Sequence, residues 1–162
     1  MFPQMRRFRQ ELKQEENLEI LQKTRTGVLA LADAKGNPYS LPMNFIYLDG
    51  KLIFHCANEG YKLELIRENP KASFCVMEKN ELVLEEYTTY FRSVLVFGSM
   101  TILEDDEKRI QAMRAFTQKL RPGFEDEMEA IIERNKNAFV ILEMTVDHMT
   151  GKQAVELVNK SK

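Results

Sequence analysis

Long apolar runs, nucleotide and metal motifs, and paired cysteines are all missing from this chain of 162 residues. No stretch approaches the roughly 18 consecutive apolar residues that a membrane-spanning helix needs. Met1 to Gln10 is polar and carries Arg6, Arg7 and Arg9, unlike the apolar core of a secretory signal. G-x-G-x-x-G, the P-loop and HExxH are absent, so none of the chemistries those spacings build is indicated. The two cysteines, Cys56 and Cys75, show neither CxxC nor Cys/His spacing, which leaves zinc and a disulfide framework unsupported. An excess of one charge is missing too: 23 basic against 25 acidic side chains give a net charge of −2, no footprint for nucleic acid or an anionic membrane. The expectation is a soluble protein of the reducing cytoplasm, with the three N-terminal arginines serving a local contact.

The length suits one domain with a core of its own. No linker, repeat or low-complexity stretch divides it. The layout expected is an N-terminal helix over about 10–24, a barrel with crossover helices over about 25–149, and a tail over 150–162.

The most informative stretch runs from Asn44 to Ile66. A strand, Asn44 to Tyr47, leads through Asp49-Gly50 into a second strand, Lys51 to Cys56. Asp-Gly between β-branched and aromatic residues favours a hairpin. Ala57-Asn58-Glu59-Gly60 then opens a helix at Tyr61. A helix N-terminus presents unpaired N–H groups and partial positive charge, so a cation there is mildly unfavourable. Lys62 sits in that first turn. Either an anion such as a phosphate is held jointly by amides and ammonium, or Lys62 is a solvated surface residue offset by Glu59.

Elsewhere the pattern alternates strands with short helices. Glu15 to Lys23 predicts a helix and Gly27 to Ala32 a strand, with turn formers over 33–38. Tyr39 to Tyr47 alternates as one strand, with Tyr39, Leu41, Met43, Phe45 and Tyr47 on the core side. Pro42 lacks an N–H and belongs at an edge, a bulge or a rim. The helix from Gly60 stops at Asn69-Pro70. Ala72 to Met77 predicts a strand, Glu78 to Tyr87 an exposed acidic connection, and Thr88 to Leu103 one long strand. Helices follow over Glu104 to Leu120, with Asp105 and Asp106 near the start and Ile110, Met113 and Phe116 on one apolar stripe, and over Phe124 to Arg134, where Met128, Ile131 and Ile132 recur, then a strand over Ala138 to Asp147 and a tail without pattern. The whole reads as a mostly β chain with flanking α, closing into a small, mostly antiparallel barrel with helices outside.

His55 shares a strand face with Ile53 beside the candidate anion site, where it is either a structural histidine or a functional one. Arg92 opens an otherwise apolar strand segment together with Ser93. It must pair with an acid, for which Glu78 to Tyr87 offers glutamates, or lie at a barrel end, or bind a phosphate. His148 completes neither a triad nor a metal set.

Gly27-Val28-Leu29-Ala30-Leu31, Pro38-Tyr39 with Pro42, Asn44-Phe45-Ile46-Tyr47 with Asp49-Gly50, Phe54-His55-Cys56-Ala57, Glu59-Gly60 with Lys62, Asn69-Pro70, and Arg92-Ser93-Val94 with Gly98 form an ordered set. This set resembles the pyridoxamine 5′-phosphate oxidase-like flavoproteins, in the branch similar to nitroimidazole-resistance proteins, over about residues 25 to 120. Met149-Thr150-Gly151-Lys152 resembles that branch's ending. The resemblance implies a split β-barrel homodimer that binds FMN at the subunit interface. It also implies that Lys62, Arg92 and Ser93 hold the phosphate. His55, Cys56 and Ala57 would line the phosphate and ribityl end, and Pro42, Met43 and Asn44 would run along the isoalloxazine. Two departures stand out. Cys56 replaces a frequent serine, and the C-terminal arginine and histidine pattern that reads pyridoxal phosphate in true oxidases is not evident.

The resemblance implies an FMN-dependent oxidoreductase acting on a small organic acceptor such as a nitro compound, with the flavin carrying the redox chemistry. The alternatives are a flavin- or small-ligand-binding module without turnover, and a haem- or deazaflavin-binding barrel of the same fold.

Overall fold

The computed structural model describes residue 2 and residues 4–160. Seven strands form one curled, wholly antiparallel sheet in the order β2-β1-β5-β6-β7-β4-β3. These are β1 (Thr26–Ala32), β2 (Pro38–Asn44), β3 (Ile46–Leu48), β4 (Lys51–Ala57), β5 (Lys71–Val83), β6 (Thr88–Leu103) and β7 (Phe139–Gln153). Five helices flank it: α1 (Gln14–Lys23), α2 (Tyr61–Glu68), α3 (Asp106–Leu120), α4 (Glu125–Asn135) and α5 (Val155–Lys160).

The turns follow from their residues. Asp33 accepts from the backbone N–H groups of Lys35 and Asn37 at 2.9 and 2.8 Å, an Asx turn between β1 and β2. Asp49 and Gly50 take φ of +48° and +80°, the paired left-handed conformations of the hairpin turn that Asp-Gly favours. α2 ends at Asn69-Pro70 as proline sterics require. Its Asn69 reaches back to the Ala32 carbonyl at 3.1 Å.

Four expectations need correction. The segment from Tyr39 to Tyr47 is two strands: β2 pairs with β1 as far as Asn44, Phe45 adds one last in-register bond to the Arg25 carbonyl at 3.0 Å, and from Ile46 the chain pairs with β4 instead. The chain thereby turns from one sheet edge, β2, to the other, β3, which curls the sheet upon itself. Ile46 is buried as well, because a second core lies beneath it. Glu78 to Val83 continues β5 past a register shift between Met77 and Lys79, and only Leu84–Glu86 forms a 3-10 turn. Polar sequence hid this strand because the ribbon is exposed on both faces, so no alternation is required of it. The tail has structure too: 149–153 belongs to β7 and Val155–Lys160 is α5, while residues 161–162 lie outside the described residues.

Two cores sit on opposite faces of the sheet. Inside the curl, Leu29, Phe45, Leu52, Phe54, Phe74, Val96, Leu142 and Met144 pack with Ile20 and Leu21 of α1 and Leu63 and Leu65 of α2. Phe74 meets Phe45 and Phe54 edge to face at 4.9 and 5.0 Å, a geometry that adds to area burial. On the other face, Ile46, Ile53, Phe139 and Ile141 pack against Ala112 and Phe116 of α3 and Ile132 of α4. Period-two alternation along β4 and β7 sends neighbours to different cores.

Candidate functional site

The junction of β4 with α2 delivers the expected residues. Asn58 donates to the Asn137 carbonyl at 3.1 Å, fixing the loop to the turn before β7. Gly60 then takes φ +126° and caps α2 without any side-chain hydrogen bond. Only glycine adopts that backbone cheaply, and its missing side chain leaves the Tyr61 and Lys62 amides to an outside acceptor, the Leu63 N–H already donating to the Gly60 carbonyl at 2.9 Å. A Cβ built on Gly60 would meet Lys62 Nζ at 3.3 Å, so the ammonium folds back over its own helix start. Among the described residues Lys62 makes no ion pair or hydrogen bond. Its charge is felt at Cys56, where it pulls the thiol down while burial pushes it up more strongly. Tyr61 stands edge-on to Tyr39 at 5.3 Å and 84°, joining α2 to the edge strand β2.

His55 and Cys56 point to different faces. Cys56 packs against the core inside the curl. His55 faces α3 and α4, its ring edge-to-face with Phe116 at 5.0 Å. It borders a cavity of about 290 Å³ with Met113, Phe116, Ile131, Ile132 and Phe139 as its apolar wall and Arg121 and Asn135 as polar residues. The imidazole is exposed at the mouth yet desolvated on its Phe116 side, and burial lowers its pKa from the ordinary value near 6.5. Neither ring nitrogen has a hydrogen-bond partner among the described residues. The α3 and α4 side chains of this cavity were read from sequence only as an apolar helix stripe; nothing in that stripe separates a packed face from a cavity wall.

On β2, Pro42 and Asn44 are exposed at the sheet edge and Met43 is buried. The edge position is what a residue without an N–H requires. Asn44 Oδ1 accepts from Thr26 Oγ1 at 2.8 Å.

Arg92 lies elsewhere. Its guanidinium donates to Glu16 of α1 and Glu78 of β5, each at 3.0 Å, while its Nε is buried without a partner. Glu16 also accepts from the Lys13 N–H at 3.0 Å, capping the start of α1. Arg92 and Ser93 pair with Gln153 and Lys152, whereas Leu103, at the far end of β6, pairs with Ile141, the partner of His55. Eleven residue steps along the strand separate Arg92 from Leu103, on the order of 36 Å along β6 at about 3.3 Å per step. One protomer therefore brings His55, Cys56, Ala57 and Lys62 to one end of the curl and does not bring Arg92 and Ser93 to them.

A curled antiparallel sheet closing on itself, helices outside, and a helix start beside its edge define a split barrel. The pyridoxamine 5′-phosphate oxidase family model matches residues 13–153, and the chain belongs to that family. No curated protein matches it. Solved structures of the same fold include a candidate 5-nitroimidazole antibiotic resistance protein from Bacteroides thetaiotaomicron VPI-5482, 24% identical with TM-score 0.69, covering 88% of this chain and 86% of that one. The flavocytochrome Anf3 from Azotobacter vinelandii is 16% identical with TM-score 0.79, covering 94% and 72%. A FAD and haem binding protein from Mycobacterium smegmatis is 21% identical with TM-score 0.74, covering 94% and 80%.

Proposed function

We propose that this chain is a flavoprotein that binds FMN and serves as an oxidoreductase for a small organic acceptor, a nitro compound being the first to test. The observation that carries the reading is the start of α2: a side-chain-free cap, open amides, and Lys62 folded over them with no acidic partner. That donor set fits a phosphate monoester. The flavin supplies the redox step when bound. The protein supplies the rest: Lys62 and the α2 amides hold the phosphate, Cys56 and Ala57 line the chain leading from it, and the Pro42–Asn44 edge carries the flat ring. Ser93 and Arg92 reach such a site only from a second protomer, which is the reason to propose a homodimer with the cofactor between subunits. Arg92 would then have to give up a carboxylate to bind a phosphate.

The cavity beside His55 suits the acceptor. Its wall is apolar, and the neutral imidazole can donate or accept one hydrogen bond at its mouth. Two free thiols are consistent with the cytoplasm as the working compartment. No helix among the described residues is long and apolar enough to cross a membrane.

A second reading is favoured by one feature. An unpartnered imidazole at an apolar cavity is also what haem ligation uses, and two solved relatives of this fold are described as a flavocytochrome and a FAD and haem binding protein. The test is the visible spectrum of the purified protein followed by the mass of the cofactor released on denaturation. FMN is expected; haem, FAD or a colourless protein that takes up no FMN would overturn the reading. Turnover is then measured with a nicotinamide donor and a nitroaromatic acceptor.

A further inference from the structure

Past Met77 the β5 side of the ribbon formed by the ends of β5 and β6 pairs with no further strand among the described residues. Beyond Met77 the strand leaves β1, whose pairing with β5 covers only Val28 to Ala30. The ribbon runs on to a tip at Leu84–Glu86 and Tyr87, which takes φ +50°. Apolar side chains stand in the open along it: Met77 is 57% exposed, Leu82 68%, Leu84 69% and Tyr87 98%. With Val28 beside its root, 40% exposed, they form a strip too apolar for a solvated arm. The ribbon is also acidic. Residues 78–87 hold four glutamates against one lysine. Glu78 and Glu81 are paired to Arg92 and Lys79 and Glu86 accepts from Tyr90, while Glu85 makes no ion pair or hydrogen bond among the described residues.

The complementary surface lies in the same chain. Arg6, Arg7, Phe8, Arg9, Gln10 and Val155 line a shallow depression of about 330 Å³ with an apolar floor. None of its three arginines makes an ion pair among the described residues, and Phe8 is 60% exposed. The depression adjoins the β6 side of the ribbon, from Phe91 up to Thr88 beside the tip. Thr88 bonds to Glu156 of α5 at 3.1 Å, and Ala154 donates to the Phe91 carbonyl at 2.9 Å. Even so, the tip does not reach it, since Tyr87 is almost wholly exposed.

We infer that the partner of this ribbon is a second copy of the chain, each protomer laying its acidic, apolar tip into the arginine-lined depression of the other. Charge complementarity argues for it, because residues 78–87, of net charge −3, would meet three arginines that make no ion pair among the described residues. Placement argues for it as well. Tip and depression lie at one end of the sheet, so a single two-fold axis there satisfies both contacts at once, as a closed isologous dimer requires. The strip from Val28 to Met77 then continues the same interface onto the sheet. This inference adds the docking mode to the dimer proposed above, and its test is independent of flavin content.

The test measures the dimer dissociation constant of the full-length protein by light scattering and sedimentation, with circular dichroism confirming the fold of each variant. Glu81→Arg with Glu85→Arg, and separately Arg6→Glu with Arg7→Glu and Arg9→Glu, should each raise the constant at least 10-fold. The combination of all five should restore it to within about threefold of the parent. Tyr87→Ala, which changes no charge, should weaken the dimer at any salt concentration, while the charge variants should lose their effect above about 0.5 M salt. A monomeric parent, a dimer indifferent to these changes, or five substitutions that fail to restore it would overturn the inference. Flavin content is read from the same samples, so a dimer without FMN rejects the flavin reading and leaves the docking mode standing.

Discussion

Lys62 occupies a position that the dipole of its own helix opposes by roughly 0.3–1 kcal/mol, and its ammonium pairs with no carboxylate among the described residues. A bound phosphate reverses the sign. Lys62→Ala should therefore weaken FMN far more than riboflavin, by about 1.5–3 kcal/mol for one charge-assisted hydrogen bond. Titration calorimetry with both ligands decides it, and equal losses would make Lys62 a surface residue. His55 carries a prediction about pH. Its folded pKa lies below the unfolded value because burial disfavours the imidazolium. The unfolded chain then binds the extra proton, so stability is intact above about pH 6.5 and declines as pH falls through that value towards the folded pKa. Denaturant midpoints at pH 7.5 and 5.5 should differ less in His55→Gln than in the parent. A proton-delivery role would appear separately, as a loss of roughly 10²-fold in acceptor turnover with FMN binding unchanged.

At the scale of elements, the tie of Arg92 to Glu16 and Glu78 links α1, β5 and β6 through one guanidinium. Both carboxylates remain part-exposed, so the pair energy is discounted for solvent, but the unpartnered Nε and the two stranded acids raise the cost of removal. Arg92→Ala should cost about 2 kcal/mol, or roughly 4–8 °C in Tm for a domain of this size. A selective loss of FMN affinity without that shift would instead return Arg92 to the phosphate. The register shift between Phe97 and Gly98 brings β7 so close that a Cβ on Gly98 would stand 1.7 Å from the Thr145 carbonyl oxygen. Backbone cannot give way as a side chain can, so Gly98→Ala should destabilise by more than about 3 kcal/mol or prevent folding. Chemical denaturation monitored by circular dichroism measures it.

For the whole molecule, a ligand that binds only the folded state stabilises it by mass action. FMN at 100 times its dissociation constant should add about 2.7 kcal/mol, seen as a rise in Tm of several degrees that riboflavin at equal concentration does not match. The rise should persist in the charge variants of the ribbon if each protomer retains its own Lys62 contacts, and should fall with dimer content if residues of both protomers hold the cofactor. Comparing the two series separates a site built by one chain from a site built by two.

The amino-acid sequence determined by itself whatever local chemistry decides. Asp49-Gly50 made a hairpin, Asn69-Pro70 stopped α2, Asp105 and the Ile110, Met113 and Phe116 stripe marked α3, and Thr88 to Leu103 spelled one long strand because both its faces alternate. The β4–α2 junction and its lysine were legible for the same reason. Tertiary structure decided what depends on a distant surface. Phe45 breaks a perfectly alternating strand because barrel closure needs the chain to cross from one sheet edge to the other. Glu78 to Val83 pairs as strand because β6 lies alongside, whatever its own polarity. His55 was placed on the face of Ile53 by period two, yet only the packing of α3 and α4 onto that face made its surroundings a cavity. Arg92 could have met a phosphate or an acid by its chemistry. Folding of α1 and β5 against β6 supplied two glutamates, and side-chain spacing along one strand cannot encode which other elements arrive beside it.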